Sequence, residues 1–400
     1  MTQSRTRPAA GRHFLQIPGP TNTPDRILRA MAAPVIDHRG PAFARLALGL
    51  LADLKKVFKT EKGHVVLYPG SGTGAWEAAL VNTLSPGDRV LTFETGHFAM
   101  LWAEMARAHG LEVETVPLEW GQGIPASVVY ETLAADTAHT YRAVLAVHNE
   151  TSTGVTSDIA AVRRAMDRAR HPALLLVDTV SSLASIDFRM DEWGVDVAVT
   201  GSQKGLMLPP GLGLVAISEK ALKASRSNRT RRSFYDWRPM IEQNQKGFFP
   251  YTPATNLLYG LREALDMLFE EGLEQVFARH ARLADGVRAA VRAWGLDILC
   301  QNPAEYSNTL TAVKMPPGHD ADRLLAVVLE RHNLSLGMGL SKIKGKVFRI
   351  GHLGHLGELE VLGTLGGVEM GLKALGIDVP LGAGVRAAQE RFLAHHDARR

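Results

Sequence analysis

Lys204 lies in "TGSQKG" (Thr200–Gly205), between the apolar run Val195–Val199 and the Gly/Pro-rich "LMLPPGLG". An amine at such a point can be a solvated charge, an anion ligand, or a nucleophile that bonds a carbonyl carbon. One apolar block upstream, Asp178 closes the run "ALLLVD". A carboxylate there is half-buried and costly without a partner, unless it serves as a helix N-cap. Further upstream, "YPGSGTGAWE" runs from an apolar block into Gly70, Ser71, Gly72, Thr73 and Gly74, then into a helical pattern. Glycines let backbone N–H groups approach a ligand and a helix N-terminus favours an anion, so this is a phosphate cradle or a plain turn. No Lys-Ser/Thr follows the glycines, which excludes a Walker loop.

Taken together, the three describe a site for pyridoxal 5′-phosphate. The phosphate needs the cradle. The pyridine nitrogen needs an anion, Asp178, to stay protonated, so that the ring draws electrons from a substrate carbon. The aldehyde needs an amine, Lys204. An amine that is partly desolvated beside a protonated ring loses proton affinity and becomes nucleophilic near neutral pH.

Such a site requires strands that end together. Apolar blocks at Val65–Tyr68, Val90–Phe93, Val113–Pro117, Ala143–Val147, Leu174–Asp178, Val195–Thr200 and Gly213–Ile217 alternate with helical patterns such as Ala75–Leu84, Phe98–His109 and Ile159–Ala169. Continuous apolar blocks fit strands buried on both faces, and the alternation predicts a mostly parallel α/β sheet. Ligands bind such sheets outside the carboxyl ends of the strands. After residue 250 the pattern becomes helical for some forty positions, with a break expected at Gly272. Short strands at Thr309–Lys314 and Val347–Ile350 flank a helix at Asp320–Arg331, as in a smaller α+β domain. The expected division is an arm over 1–24, a large domain over 25–271 and a small domain over 272–400.

The ordered set "IPGPTNTPDRI", "SGTGAWE", "HNETSTGV", "DEWGVDVAVTGSQKG", "PPGLG", "FPYTP" and "GKVFRIGHLG" resembles the class V aminotransferases over about residues 12 to 390. Among them it is most similar to the serine–glyoxylate branch, close to the alanine–glyoxylate and aspartate–glyoxylate enzymes. The resemblance implies fold type I of the pyridoxal-phosphate enzymes, the aspartate-aminotransferase type. Its large domain holds a mainly parallel seven-stranded sheet beside a small C-terminal α+β domain. It implies Lys204 as the lysine bonded to the cofactor, with Gln203 beside it as a phosphate contact. Ser71, Gly72 and Thr73 match the phosphate loop. Asp178 matches the pyridine-nitrogen partner, Val180 a ring contact, and Thr151 the hydroxyl near the ring oxygen. Phe98 falls where the family stacks an aromatic ring, often tryptophan; the identity departs but the stacking chemistry survives. Arg349 matches the clamp on the substrate carboxylate, a role for which its planar fork suits and lysine does not. Tyr251 and Thr252, in "FPYTP", and His38 and Arg39, in "DHRGP", match segments that cross to the neighbouring subunit. Relatives place their tyrosine differently, which sets Tyr251 apart from Thr252. A homodimer with shared active sites follows.

Composition narrows the alternatives. The 400-residue chain is 46% hydrophobic and 22% charged, values of a globular protein of about two domains. Its net charge is +4 with 41 acids spread throughout, which gives no basic stripe for nucleic acid. The excess sits partly in the tails, at Arg5, Arg7, Arg12, Arg399 and Arg400. No apolar run approaches a bilayer span. The Arg-rich start is a disordered arm or a short transit peptide; a cytoplasmic enzyme is expected. Cys300 is the one cysteine, in the apolar "LDILC", so no intrachain disulfide and no Cys/His zinc spacing exists, and a buried thiol is expected. That disfavours a cysteine desulfurase, which needs a mobile nucleophilic thiol, as the alternative to transamination on this fold, along with a lyase. A phosphate-binding module would leave the Lys204–Asp178 pair unexplained. Trp76, Trp102, Trp193 and Trp294 read as core, Glu270 and Glu271 as a solvated helix face, and His352 and His355 as pocket or structural residues. The preferred donor, with serine ahead of aspartate and alanine, rests on the resemblance.

Overall fold

A computed structural model describes residues 11–397. Arg5, Arg7, Arg399, Arg400 and the leader-like stretch up to residue 10 lie outside them. In chain order, β1 (Phe14–Gln16) precedes α1 (Asp25–Met31) and α2 (Pro41–Phe58), and β2 (His64–Gly70) leads into α3 (Gly72–Thr83). Next come β3 (Arg89–Phe93), α4 (His97–Ala108), β4 (Glu112–Val116), α5 (Ala126–Ala135) and β5 (Tyr141–Val147). The short pair β6 (Asn149–Glu150) and β7 (Val155–Thr156) precedes α6 (Ile159–Arg168), β8 (Leu174–Asp178), β9 (Val197–Gly201) and β10 (Gly211–Ile217). The helices α7 (Glu219–Ser227), α8 (Trp237–Asn244), α9 (Thr255–Glu271) and α10 (Leu273–Ala293) follow. The chain closes with β11 (Leu310–Lys314), α11 (Ala321–His332), β12 (Leu334–Met338), β13 (Val347–Gly351), α12 (Glu358–Ala374) and α13 (Ala383–Asp397).

Seven strands form one sheet in the order β2-β10-β9-β8-β5-β3-β4. β10 is antiparallel to both its neighbours, and every other pairing is parallel. β2 therefore runs in the same direction as β9, and their carboxyl ends open on one edge. The apolar blocks are continuous because each face has its own core. Val144, Leu175, Val177 and Ala198 pack into one cluster, whereas their neighbours Leu145, Leu174, Leu176, Val197 and Val199 pack into the other. The period-2 alternation sends both sets of side chains into apolar surroundings. Local chemistry sets the flanking helices. Asp158 caps α6 by accepting the Ala161 N–H at 2.8 Å, and Pro41 opens α2 at a position where no amide hydrogen is needed.

The long helical stretch breaks at Gly272, whose φ of +85° separates α9 from α10. Beyond it stands a four-stranded sheet, β1-β12-β13-β11, over a core that includes Leu283, Val313, Phe348 and Ile350. Two of its strands are the expected ones. β12 is short, interrupted by Ser335 and Gly337, and follows α11 through Asn333 in the left-handed region (φ +51°). β1 comes from the segment expected as an arm and pairs in parallel with Leu334–Leu336. Cys300 is buried, and burial pushes its thiol up to about 11. Among the described residues no helix is long and apolar enough to cross a membrane.

Candidate active site

Asp178 is the last residue of β8 and is buried. Its Oδ1 accepts the Val180 N–H at 2.6 Å and its Oδ2 accepts the Trp76 indole N–H at 3.2 Å. Trp76 is buried, as expected, and stacks on Trp102 at 5.9 Å between centroids; it also holds the acid, a contact that its type alone did not reveal. Burial pushes the Asp178 carboxyl up to about 7. The Val180 N–H draws it down, the Glu150 charge adds to the rise, and Trp76 and Lys204 oppose it.

Lys204 follows β9 and is only 8% exposed. Burial first, then the Arg349 charge, lowers its ammonium to about 8, against the pull of Asp178. The ammonium donates to the Pro18 carbonyl. Thr21 fastens the same strap, giving its N–H to Gln203 O at 3.1 Å and its hydroxyl to Lys204 O at 3.2 Å. Gly19 must be glycine there. Its φ is +96°, and a Cβ would stand 2.5 Å from Lys204 Nζ.

The turn from β2 into α3 lies beside these residues. Ser71 is extended and no side chain caps α3, so its first N–H groups stand open to an anion. The turn is tight. A Cβ on Gly72 would meet Val180 Cγ2 at 2.7 Å, and one on Gly213 would meet Ser71 O at 2.5 Å. Gln203 Oε1 is buried without a partner among the described residues. Turned over, that amide would present its NH2 instead, a donor suited to a phosphate oxygen.

Arg349, on β13, reaches in from the second sheet and is buried. Its Nε donates to Met338 O and its Nη1 to Thr151 O, both at 2.8 Å, leaving Nη2 without a hydrogen bond among the described residues. Burial lowers it to about 10, and Glu150 opposes that shift. The Thr151 hydroxyl donates to Ser181 Oγ at 2.8 Å, which donates to Asn149 O at 2.8 Å. Phe98, near the start of α4, is half-buried and meets His97 edge-on at 5.3 Å.

Ser71–Thr73, Phe98, Thr151, Asp178, Val180, Gln203 and Lys204 thus all stand at or after carboxyl ends of strands of the large sheet, and Arg349 joins them. His38, Arg39, Tyr251 and Thr252 do not. Arg39 and Thr252 are exposed, and His38 is half-buried with Nε2 unpartnered among the described residues. Tyr251 stacks on Phe234 at 4.9 Å and donates to Ser233 O at 2.8 Å. His352 is buried between Thr311 Oγ1 and Asn308 O, a structural placement. Glu270 and Glu271 hold Arg26 and Arg279. Sequence reasoning gave no role at the site to Glu150, Trp76, Ser181 or the Pro18–Gly19 strap. The signal for Glu150 was an acid in the otherwise uncharged run "NETSTGV".

The fold and this site define a pyridoxal-phosphate-dependent transferase. The structure is similar to that of pyridoxamine–pyruvate aminotransferase from Mesorhizobium loti (TM-score 0.91, 28% identity, 97% of this chain and 99% of that one). The aminotransferase class-V profile matches residues 13–343. The chain is 53% identical to a serine–glyoxylate aminotransferase of Hyphomicrobium methylovorum, over 94% of each chain. It is 51% identical to an L-aspartate–glyoxylate aminotransferase of Paracoccus denitrificans, over 94% of this chain and 95% of that one. The chain belongs to the class-V aminotransferases, and its cofactor is pyridoxal 5′-phosphate.

Proposed function

We propose that the enzyme moves an amino group from L-serine to glyoxylate, yielding hydroxypyruvate and glycine. The observation that carries the transamination is the buried Lys204 amine, lowered toward neutral pH, in one site with Asp178 and Arg349. Pyridoxal 5′-phosphate supplies an aldehyde to carry the amino group and a ring that draws electrons from the substrate α-carbon. The open start of α3, with Ser71, Gly72, Thr73 and Gln203, would hold its phosphate. Asp178 would hold the pyridine nitrogen, a cation that favours the carboxylate. Val180 and Phe98 would enclose the ring, and Thr151 would meet its ring oxygen. Arg349 binds the α-carboxylate, releasing the Thr151 or Met338 carbonyl as needed to present its fork. Lys204, deprotonated in a buried site, would take the proton from the substrate α-carbon and return it two bonds away, at the carbon that the cofactor's aldehyde supplies. Cys300, with its thiol pushed up by burial, is a poor nucleophile for desulfuration.

The donor is chosen by what meets its side chain. Serine needs a hydrogen-bond partner, and aspartate needs a cation. Arg39 from a neighbouring subunit serves either, and the likeness to the Hyphomicrobium enzyme favours serine. The expected order of kcat/KM against glyoxylate is serine, aspartate, alanine. Arg39→Ala should lower the rate with serine and spare alanine. A tenfold preference for aspartate over serine, about 1.4 kcal/mol, would reverse the assignment.

A homodimer with shared sites belongs to this reading. Its support is that Arg39 and Thr252 are exposed in the single chain and that Val35, four residues before Arg39, is 72% exposed. Mixing inactive Lys204→Ala with an Arg39/Thr252 double variant should restore one competent site per mixed dimer. No recovery after verified subunit exchange would place each site in one chain. The domain division at Gly272 and a cytoplasmic location complete the proposal.

A further inference from the structure

Glu150 is a buried acid, 1% exposed, that the proposed chemistry does not use. It ends the two-residue strand β6. Its Oε1 accepts from the Phe98 N–H at 3.3 Å, the Ser152 N–H at 3.0 Å and the Ser152 hydroxyl at 2.6 Å; its Oε2 accepts from the Ala99 N–H at 3.1 Å. Ser152 Oγ in turn accepts the His97 N–H at 2.9 Å. Three consecutive amides at the start of α4 are thereby held by one carboxylate and the hydroxyl bonded to it. These are the orphan donors that any helix leaves at its first turn, and a negative charge there also meets the positive end of the helix dipole. The usual cap would be the residue before the helix, but that residue is Gly96, which has no side chain to offer. Gly96 is glycine because the clasp is pressed against it: a Cβ would lie 2.4 Å from Ser152 Oγ and 2.5 Å from Glu150 Cγ.

We propose that Glu150 is a positioning residue, which clasps the first turn of α4 from the end of β6 and so fixes the Phe98 ring at the cofactor's place. Three features make this more than a helix cap. The clasp joins loops from two strands of the sheet, β3 and β5, that both open on the site edge. Its middle amide belongs to Phe98 itself. The residue after Glu150 is Thr151, whose carbonyl receives Arg349, so one short turn sets both the aromatic ring and the substrate clamp. This inference rests on the placement of Phe98 given above.

The test is a double-mutant cycle on the holoenzyme. Glu150→Gln keeps the size of the side chain but puts an NH2 group where one of two acceptor oxygens stood. Release of pyridoxal 5′-phosphate on dilution should speed up about tenfold, and the visible circular dichroism of the bound cofactor should weaken. Amide hydrogen exchange in the peptide spanning 97–102 should rise by a similar factor. Phe98→Leu should also speed release, and the double variant should release no faster than Phe98→Leu alone, because both changes act through one ring. Ser152→Ala, which removes the hydroxyl limb only, should shift each reading in the same direction by less, and it stands in if Glu150→Gln does not fold. Additive effects of Glu150→Gln (or Ser152→Ala) and Phe98→Leu, or unchanged exchange at 97–102, would overturn the proposal while leaving Phe98 at the cofactor. Unchanged release in Phe98→Leu would overturn the placement of Phe98 and this inference with it.

Discussion

Replacing Lys204 with alanine is expected to lower turnover by several powers of ten while leaving the fold intact. Loss of the proton transfer alone accounts for roughly 10²–10⁴-fold. The open start of α3 and Asp178 remain, so pyridoxal 5′-phosphate should still bind. Borohydride treatment of the wild type should fix the cofactor to the peptide that carries Lys204, and labelling at another lysine would end the assignment. The variant should also change the pH dependence of stability of the cofactor-free protein. Burial lowers the Lys204 ammonium from 10.5 to about 8, so the unfolded chain binds more protons than the folded one between those values. Stability of the wild type should therefore rise with pH through that window, and Lys204→Ala should lose that rise. Urea midpoints at a series of pH values would show it.

Asp178→Asn should cost turnover a comparable amount. The side chain keeps its size and its bond from Val180, but it can no longer offer a negative charge to the pyridine nitrogen. Removing one preorganised electrostatic contact costs roughly 10²–10³-fold, and this contact acts in a buried site. The stability signature has the opposite sign to that of Lys204. Burial raises the Asp178 carboxyl from 3.8 to about 7, so the folded protein binds the extra proton between them, and stability falls as pH rises through that window. Charges that face it come from Glu150 and Lys204, and the variant should flatten only the contribution of Asp178. Near-normal turnover in Asp178→Asn would show that the residue merely caps the turn to Val180.

The large sheet was readable because its strands are buried on both faces. Leu174–Asp178 is apolar at every position but the last, so both its existence and the exposure of its end to the site edge followed from pattern alone. Lys204 was readable by the company it keeps. The second sheet was harder. β1 is three residues long, and its partner β12 carries Ser335 and Gly337, so neither shows a period; their pairing is decided by tertiary contact. Glu150 escaped for a related reason. Its donors are amides of Phe98 and Ala99, and an acid that caps a helix from a different loop leaves no spacing signal in the chain. Trp76 was assigned to the core by type, correctly, but a buried indole N–H usually finds an acceptor, and here that acceptor was Asp178.

β1 has a consequence for the order in which the molecule is made. Its partner strand begins at Leu334, and the neighbouring bond between His13 and Asn333 closes a loop of 320 residues. During synthesis the first described strand emerges long before β12 exists, while the seven strands of the large sheet can already pair. The loop-closure cost for such distant segments is met only once the partner has been translated. Ile17–Thr21, which follows β1 directly and carries the Pro18 carbonyl that receives the Lys204 ammonium, is also tied by Thr21 to Gln203 and Lys204, and can reach the large sheet earlier. The cover over the lysine is therefore anchored first at its Thr21 side, and its β1 side is fixed only when β12 has been made.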